Sequence, residues 1–277
     1  MVCAERNFDQ GFEGFFEHAQ EDADSILPDA VQWVRENSEN RFFLYLHLID
    51  AHTPYSPDPI MRERFCEEPP VGFTEQMTYA LLGAHLNGEL DDTAKLDEFV
   101  DHYSNLYSAE VATLDARLSS FFATLTAMGL DDRTVIAITS DHGEEFMEHM
   151  MLGHGRQFFS ESMQIPLIML GPGITAGERI AARVENRYLA PTLLAAANLA
   201  PPESMPMVNL LETTSESNPE EKPIFFTTSL GRWPNGPVEH RTKILQIHGC
   251  LKERWLFVWA PQQKNLATEQ HQLFNLY

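Results

Sequence analysis

Basic residues are scarce in this sequence: 19 lysines and arginines stand against 41 aspartates and glutamates, a formal charge of −22 at neutral pH. Such a field repels nucleic acid and anionic membrane surfaces, so neither is expected as a partner. Cysteine is scarcer still. Cys3, Cys66 and Cys250 lie far apart with no CxxC pair, which excludes a disulfide framework and zinc-finger spacing. No stretch approaches the roughly 18 apolar residues of a membrane span. The N-terminal MVCAERNFDQGFEGFF lacks the basic-then-apolar order of an export signal. No Asn-X-Ser/Thr sequon occurs, which speaks against a glycosylated lysosomal protein and points toward a bacterial source.

What remains is an ordinary globular composition, 43% hydrophobic and 22% charged over 277 residues. That length buries a full core as one large domain, or as one domain plus a small appendage. The most informative stretch is Thr134 to Gly155, TVIAITSDHGEEFMEHMMLGHG. Val135 to Ile138 is a short β-branched run suited to a buried strand, and it stops at Thr139-Ser140-Asp141-His142-Gly143. In open α/β sheets the ligand crevice lies beyond the carboxyl ends of strands, so a carboxylate and an imidazole there are placed to hold a metal. His154, between Gly153 and Gly155, is able to return to the same place on a flexible loop.

In chain order, Phe8 to Phe16 reads as an aromatic, glycine-punctuated loop, and Asp22 to Asn37 as an amphipathic helix with an acidic first turn. Phe42 to Ile49, FFLYLHLI, reads as a strand that delivers Asp50-Ala51-His52-Thr53-Pro54-Tyr55. Ser56 to Pro70 is proline-rich and expected as a loop, and Thr74 to Asp101 as two short acidic helices. His102 to Met128 predicts a long helix ended by Gly129, followed by the Asp141 strand and a further strand, Ile165 to Leu170. Strands separated by helices imply a largely parallel sheet. A helix is expected over Arg187 to Asn198, a boundary over 201–223, and short strands at Ile224 to Thr228, Lys243 to Ile247 and Trp255 to Trp259.

The order TSDHGEE, Glu148-His149, Gly153-His154-Gly155, then a strand closed by Gly171-Pro172-Gly173, resembles the sulfatase family of the alkaline-phosphatase superfamily. Supporting matches are Gly11-Phe12-Glu13-Gly14-Phe15-Phe16, the HTPY run at His52, Tyr107-Glu110-Val111-Leu114-Asp115, Leu189-Ala190-Pro191-Thr192-Leu193-Leu194 and Gln272-Leu273-Phe274-Asn275-Leu276. The resemblance implies an alkaline-phosphatase-like α/β fold, a mostly parallel sheet flanked by helices with a small antiparallel C-terminal subdomain. The expected division is 1–200, 201–223 and 224–277. It implies metal-assisted hydrolysis of a small-molecule or saccharide sulfate ester. Asp141 and His142 are expected to ligate a divalent metal, Ca²⁺ first, with Mn²⁺ or Zn²⁺ left open by the nitrogen donor. His52 and His154 are expected as catalytic and substrate-binding residues, with Thr53, Tyr55 and His149 as further substrate contacts. Tyr107, Glu110, Val111, Leu114 and Asp115 are expected to pack.

The family's nucleophile motif, C/S-x-P-S-R, is absent: Cys3, Cys66 and Cys250 are followed by other residues. The expectation is therefore a fragment whose formylglycine lies in a preceding segment. Two alternatives stay open, a phosphodiester or phosphonate hydrolase of the same superfamily and a truncated binding protein without catalysis.

Overall fold

Asp22 starts the first helix, α1 (Ala23–Asn37), by accepting the Ser25 N–H at 2.8 Å. Its buried stripe is Ala23, Leu27, Ala30 and Val34, one face of an amphipathic helix as expected for this stretch. The computed structural model describes residues 2–90, 92–213, 223–231, 245–260 and 271–276. The chain divides into two units, Met1–Met77 with Asp97–Asp132, and Thr78–Leu96 with Arg133–Tyr277.

In the first unit, Phe42 to Ile49 is extended and its side chains alternate, with Phe43 and Tyr45 exposed. It joins no ladder among the described residues, so the expected strand is not assigned. A strand exists only where a neighbour exchanges backbone hydrogen bonds with it, whatever the apolar pattern. The expected loop after Ser56 contains a helix, α2 (Pro59–Phe65). Asp58 caps it by accepting the Ile60 N–H at 2.9 Å, and Pro59 occupies its first position, where a missing N–H costs nothing. After α3 (Glu75–Leu86), α4 (Ala94–Ala127) begins eight residues earlier than the sequence pattern indicated, and Asp92 accepts the Ala94 N–H at 2.9 Å. Gly129, at φ 66°, ends it as expected, with the Leu130 N–H reaching back to the Leu125 carbonyl at 3.1 Å. Arg117 of α4 forks onto Asp24 of α1 and lies 3.6 Å from buried Asp50, whose other oxygen accepts the Ala23 N–H. The two helices and the start of the HTPY run are thereby tied at one guanidinium.

The second unit contains β1 (Ile136–Thr139), the short strands β2 (Glu145–Phe146) and β3 (Leu152–Gly153), the helical turn α5 (Ser160–Met163) and β4 (Leu167–Leu170). A 3-10 turn leads into α6 (Leu189–Ala196), where a helix was expected. β4 runs antiparallel to β1, Thr139 opposite Leu167, and every ladder among the described residues is antiparallel. Gly171 closes β4 against Thr134; a Cβ there would stand 2.3 Å from the Thr134 carbonyl oxygen.

Beyond residue 222, β5 (Ile224–Gly231), β6 (Leu245–Lys252), β7 (Trp255–Trp259) and β8 (His271–Asn275) form one antiparallel sheet in that order. This is the small C-terminal sheet that was expected, with β8 over the Gln272 run. Ile247, Leu256, Val258 and Ala260 pack with Phe158 and Phe159 in one buried cluster. Phe158 reaches Gly249 so closely that a Cβ there would meet its ring at 2.7 Å. Apolar burial on these two phenylalanines joins the sheet to the segment that follows the Asp141 turn, and most of the expected boundary at 201–223 lies outside the described residues.

Candidate functional site

β1 ends at Thr139 and delivers Asp141 and His142 at its carboxyl end, as its sequence indicated. The Asp141 carboxylate is exposed and accepts the backbone N–H of His142 at 3.0 Å. His142 places Nδ1 2.9 Å from the Gly143 carbonyl. A carbonyl only accepts, so Nδ1 carries a proton, and Nε2 lies 3.6 Å from Asp141 Oδ1. Gly143 is required by close approach: its N–H donates to the Ser162 carbonyl at 2.8 Å, and a Cβ would stand 2.0 Å from the Glu161 carbonyl oxygen.

The return to His154 is structured. β2 and β3 pair Glu145 with Gly153 and Phe146 with Leu152, closed by a loop in which the Met147 N–H donates to Met151 at 2.8 Å. His154 then stacks on His142, ring centroids 3.7 Å apart and planes at 23°. Its Nδ1 lies 3.0 Å from Oε1 of Glu144, a carboxylate whose side chain is only 8% exposed. That hydrogen bond, first among the causes, raises the His154 pKa above the ordinary histidine value. Burial opposes the shift, the charges of Glu144 and Asp141 add to it, and Arg156 counters them. Sequence reading did not single out Glu144; the run of two glutamates after Gly143 carried no signal of which one meets the histidine.

His149 is not brought to the stacked pair. Its ring lies flat on Phe159 at 3.5 Å, and its Nδ1 is 3.6 Å from Glu161 Oε2. These contacts hold the His149 ring against the segment that carries α5.

His52 belongs to the first unit, and Asp141, His142, His149 and His154 to the second. The His52 side chain is exposed, with Nδ1 2.6 Å from the Thr53 carbonyl. Thr53 and Tyr55, expected to touch substrate, are engaged by the protein itself. The Thr53 hydroxyl lies 2.8 Å from both Glu75 Oε1 and the Tyr103 hydroxyl. The Tyr55 ring packs against Tyr103 at 4.7 Å and Tyr107 at 5.6 Å. Further along, the Ser56 N–H donates to Glu110 at 2.9 Å and the Asp58 N–H to the Thr113 hydroxyl at 3.1 Å. Glu110, expected as a packing residue, is a buried hydrogen-bond acceptor whose pKa burial pushes up, and Val111 is exposed at 43%.

Asp141 and His142 fit neighbouring positions around one divalent ion. Two ligands about 2.1–2.4 Å from a metal stand roughly 3–3.5 Å apart when they meet it at right angles, near the observed 3.6 Å. No cluster of three or more His, Cys, Asp or Glu side chains suited to a metal occurs among the described residues.

The family model described as Sulfatase matches residues 5–199. Arylsulfatase K of Bos taurus is 30% identical over 213 residues, a match covering 68% of this chain and 38% of that protein. Arylsulfatase K of Mus musculus is 29% identical over 279 residues, covering 89% and 47%. The chain thus spans less than half the length of these curated relatives. Both come from animals and do not favour the bacterial source expected from the missing sequon. Among solved structures, a protein in complex with its substrate D-glucosamine-2-N,6-O-disulfate superposes with a TM-score of 0.64 at 17% identity, covering 91% of this chain and 63% of that one. The phosphonate monoester hydrolase of Agrobacterium radiobacter gives 0.63 at 21% identity, covering 90% and 53%. These likenesses establish the fold as alkaline-phosphatase-like. No helix among the described residues is long and apolar enough to cross a membrane.

Proposed function

The chain belongs to the sulfatase family, and from that premise we propose that it carries the metal-binding and leaving-group half of a sulfuric ester hydrolase acting on a saccharide sulfate. The observation that carries this reading is the stacked His142–His154 pair at the end of β1, with Glu144 behind His154. Glu144 fixes the proton on Nδ1 of His154 and favours the imidazolium, which assigns Nε2 the work of donating to a sulfate or leaving-group oxygen. A cation there also answers the chain's net charge of −22, which otherwise repels an anionic ester. Asp141 and His142 would hold the divalent ion, which would supply charge neutralisation on the ester oxygens. Ca²⁺ is the first candidate, with Mn²⁺ or Zn²⁺ admitted by the imidazole.

His52 is assigned a second substrate contact on the resemblance of its HTPY run to the family's. The nucleophile, a formylglycine by the same resemblance, is not among the residues assigned here. A saccharide sulfate is favoured because a neighbour of the same fold is described with glucosamine disulfate as its substrate. A phosphonate monoester reading has the second neighbour behind it, but the relatives near 30% identity are named as arylsulfatases.

The test is release of inorganic sulfate from an aryl sulfate and from sulfated glucosamine by the full-length protein, beside Asp141→Ala and His154→Ala. A fall in kcat of about 10²-fold or more is expected for each. Rates within twofold of the parent would remove those residues from the reaction. Turnover of phosphonate monoesters alone would replace the substrate class.

A further inference from the structure

Behind the Asp141 turn lies a second carboxylate that the proposed reaction does not use. Glu145 is 1% exposed, while its neighbour Glu144 meets His154. Its Oε1 accepts the Ser162 hydroxyl at 3.0 Å, while Oε2 is buried with no hydrogen-bond partner among the described residues. A buried carboxylate with one oxygen unsatisfied costs several kcal/mol in place of an apolar residue, and its retention asks for a reason. Ser162 is also gripped from the other side, its carbonyl accepting the Gly143 N–H at 2.8 Å. The side chain of Glu145 and the backbone of Gly143 therefore hold one residue between them.

We propose that Glu145 and Ser162 are positioning residues that clamp the Asp141-His142-Gly143 turn at its metal-binding geometry. The proposal rests on the reading of Asp141 and His142 as metal ligands. Through the clamp, α5 becomes a fixed floor under Gly143. Glu145 also faces Gly153 across the β2–β3 ladder, so the same residue indexes the strand that returns His154. Groups that orient ligands from behind commonly change metal affinity by about 10–100-fold when removed.

Two readouts on the purified protein separate the clamp from the metal reading. Hydrogen exchange of the Gly143 amide, measured without metal, is expected to quicken about tenfold in Ser162→Ala and in Glu145→Leu. Glu145→Gln, whose amide oxygen still accepts from Ser162, is expected to stay within twofold of the parent. Amides of the β6–β7 ladder serve as the reference that separates a local change from a global loss of stability. Calorimetric titration with Ca²⁺ and with Mn²⁺ is expected to show about tenfold weaker binding in Ser162→Ala and in Glu145→Leu, and parental binding in Glu145→Gln. Unchanged Gly143 exchange in folded Ser162→Ala, or a Glu145→Gln variant that behaves like Glu145→Leu, overturns the clamp. Quickened exchange without metal binding by the parent upholds the clamp and overturns the metal reading of Asp141 and His142.

Discussion

Glu144 and His154 form a carboxylate–imidazole pair, 3.0 Å from Oε1 to Nδ1, one step beyond the Glu145–Gly153 rung that closes the β2–β3 hairpin. The short ladder and the pair hold each other in register. Removing the carboxylate should lower the His154 pKa, because its hydrogen bond is the largest cause of the raised value. A pKa raised on folding stabilises the fold fully below the unfolded value of about 6.5, and that stabilisation fades as pH rises through the folded value. Glu144→Gln is therefore expected to lose stability below pH 6.5 and little well above the folded pKa. The alkaline limb of turnover should move toward acid. Imidazole NMR titration of His154 checks this; an unmoved pKa would sink the pair as its cause.

Glu145 has the opposite linkage. Burial, first among the causes, with the charges of Glu161, Glu148 and Glu144 against the help of Ser162, lifts its pKa from 4.5 to about 7. The folded state holds this proton more tightly than the unfolded chain, so stability is greatest below 4.5 and falls as pH rises toward 7. Glu145→Gln removes that slope. Relative to the parent, the variant should gain stability between pH 5 and pH 8, by roughly 3 kcal/mol as an upper bound. Denaturant melts at the two pH values decide it, and parallel curves would show that Glu145 is ionised throughout.

Gly143→Ala should cost about 2–4 kcal/mol, because its Cβ would stand 2.0 Å from the backbone oxygen of Glu161, which has no rotamer through which to retreat. Thermal unfolding reads the loss. A variant of parental stability would mean that the turn over Ser162 yields more easily than the 2.8 Å hydrogen bond implies.

His52 and Thr53 should separate cleanly despite being neighbours. His52→Ala is expected to leave stability within about 0.5 kcal/mol, since the side chain is exposed, while lowering kcat about 10²-fold. Thr53→Val keeps the shape and loses the hydroxyl that meets Glu75 and Tyr103, costing about 1–2 kcal/mol. Equal stability losses in the two variants would contradict the division of roles.

The elements that the sequence made legible are those whose periodicity or punctuation has a local cause. Gly129 ends α4 because the αL conformation there suits glycine, and Val135 to Ile138 leads into β1 through its β-branched run. The return of His154 was foreshadowed by its flanking glycines, both at positive φ. The strand expected at Phe42 to Ile49 was not found because a ladder depends on a partner, which no local pattern encodes. The contacts that Thr53 and Tyr55 make with Tyr103 were illegible for a similar reason: they lie on α4, some 50 residues away. The helix α2 was legible in Asp58-Pro59, a cap followed by a first-position proline, but the density of prolines around it read as loop. Glu144 and Glu145 find different partners, His154 and Ser162, and a strand of two residues is too short to show a period in the sequence.

The run from Thr53 to Asp58 lies along α4, meeting Tyr103, Tyr107, Glu110 and Thr113 in that order. From Tyr103 to Thr113 the helix rises about 15 Å. The helix thus acts as a ruler to which the chain is pinned at Thr53, Tyr55, Ser56 and Asp58, with His52 at the zero mark. Insertions or deletions between His52 and Asp58 would shift the imidazole along that scale, whereas length can vary past Asp58 without moving it.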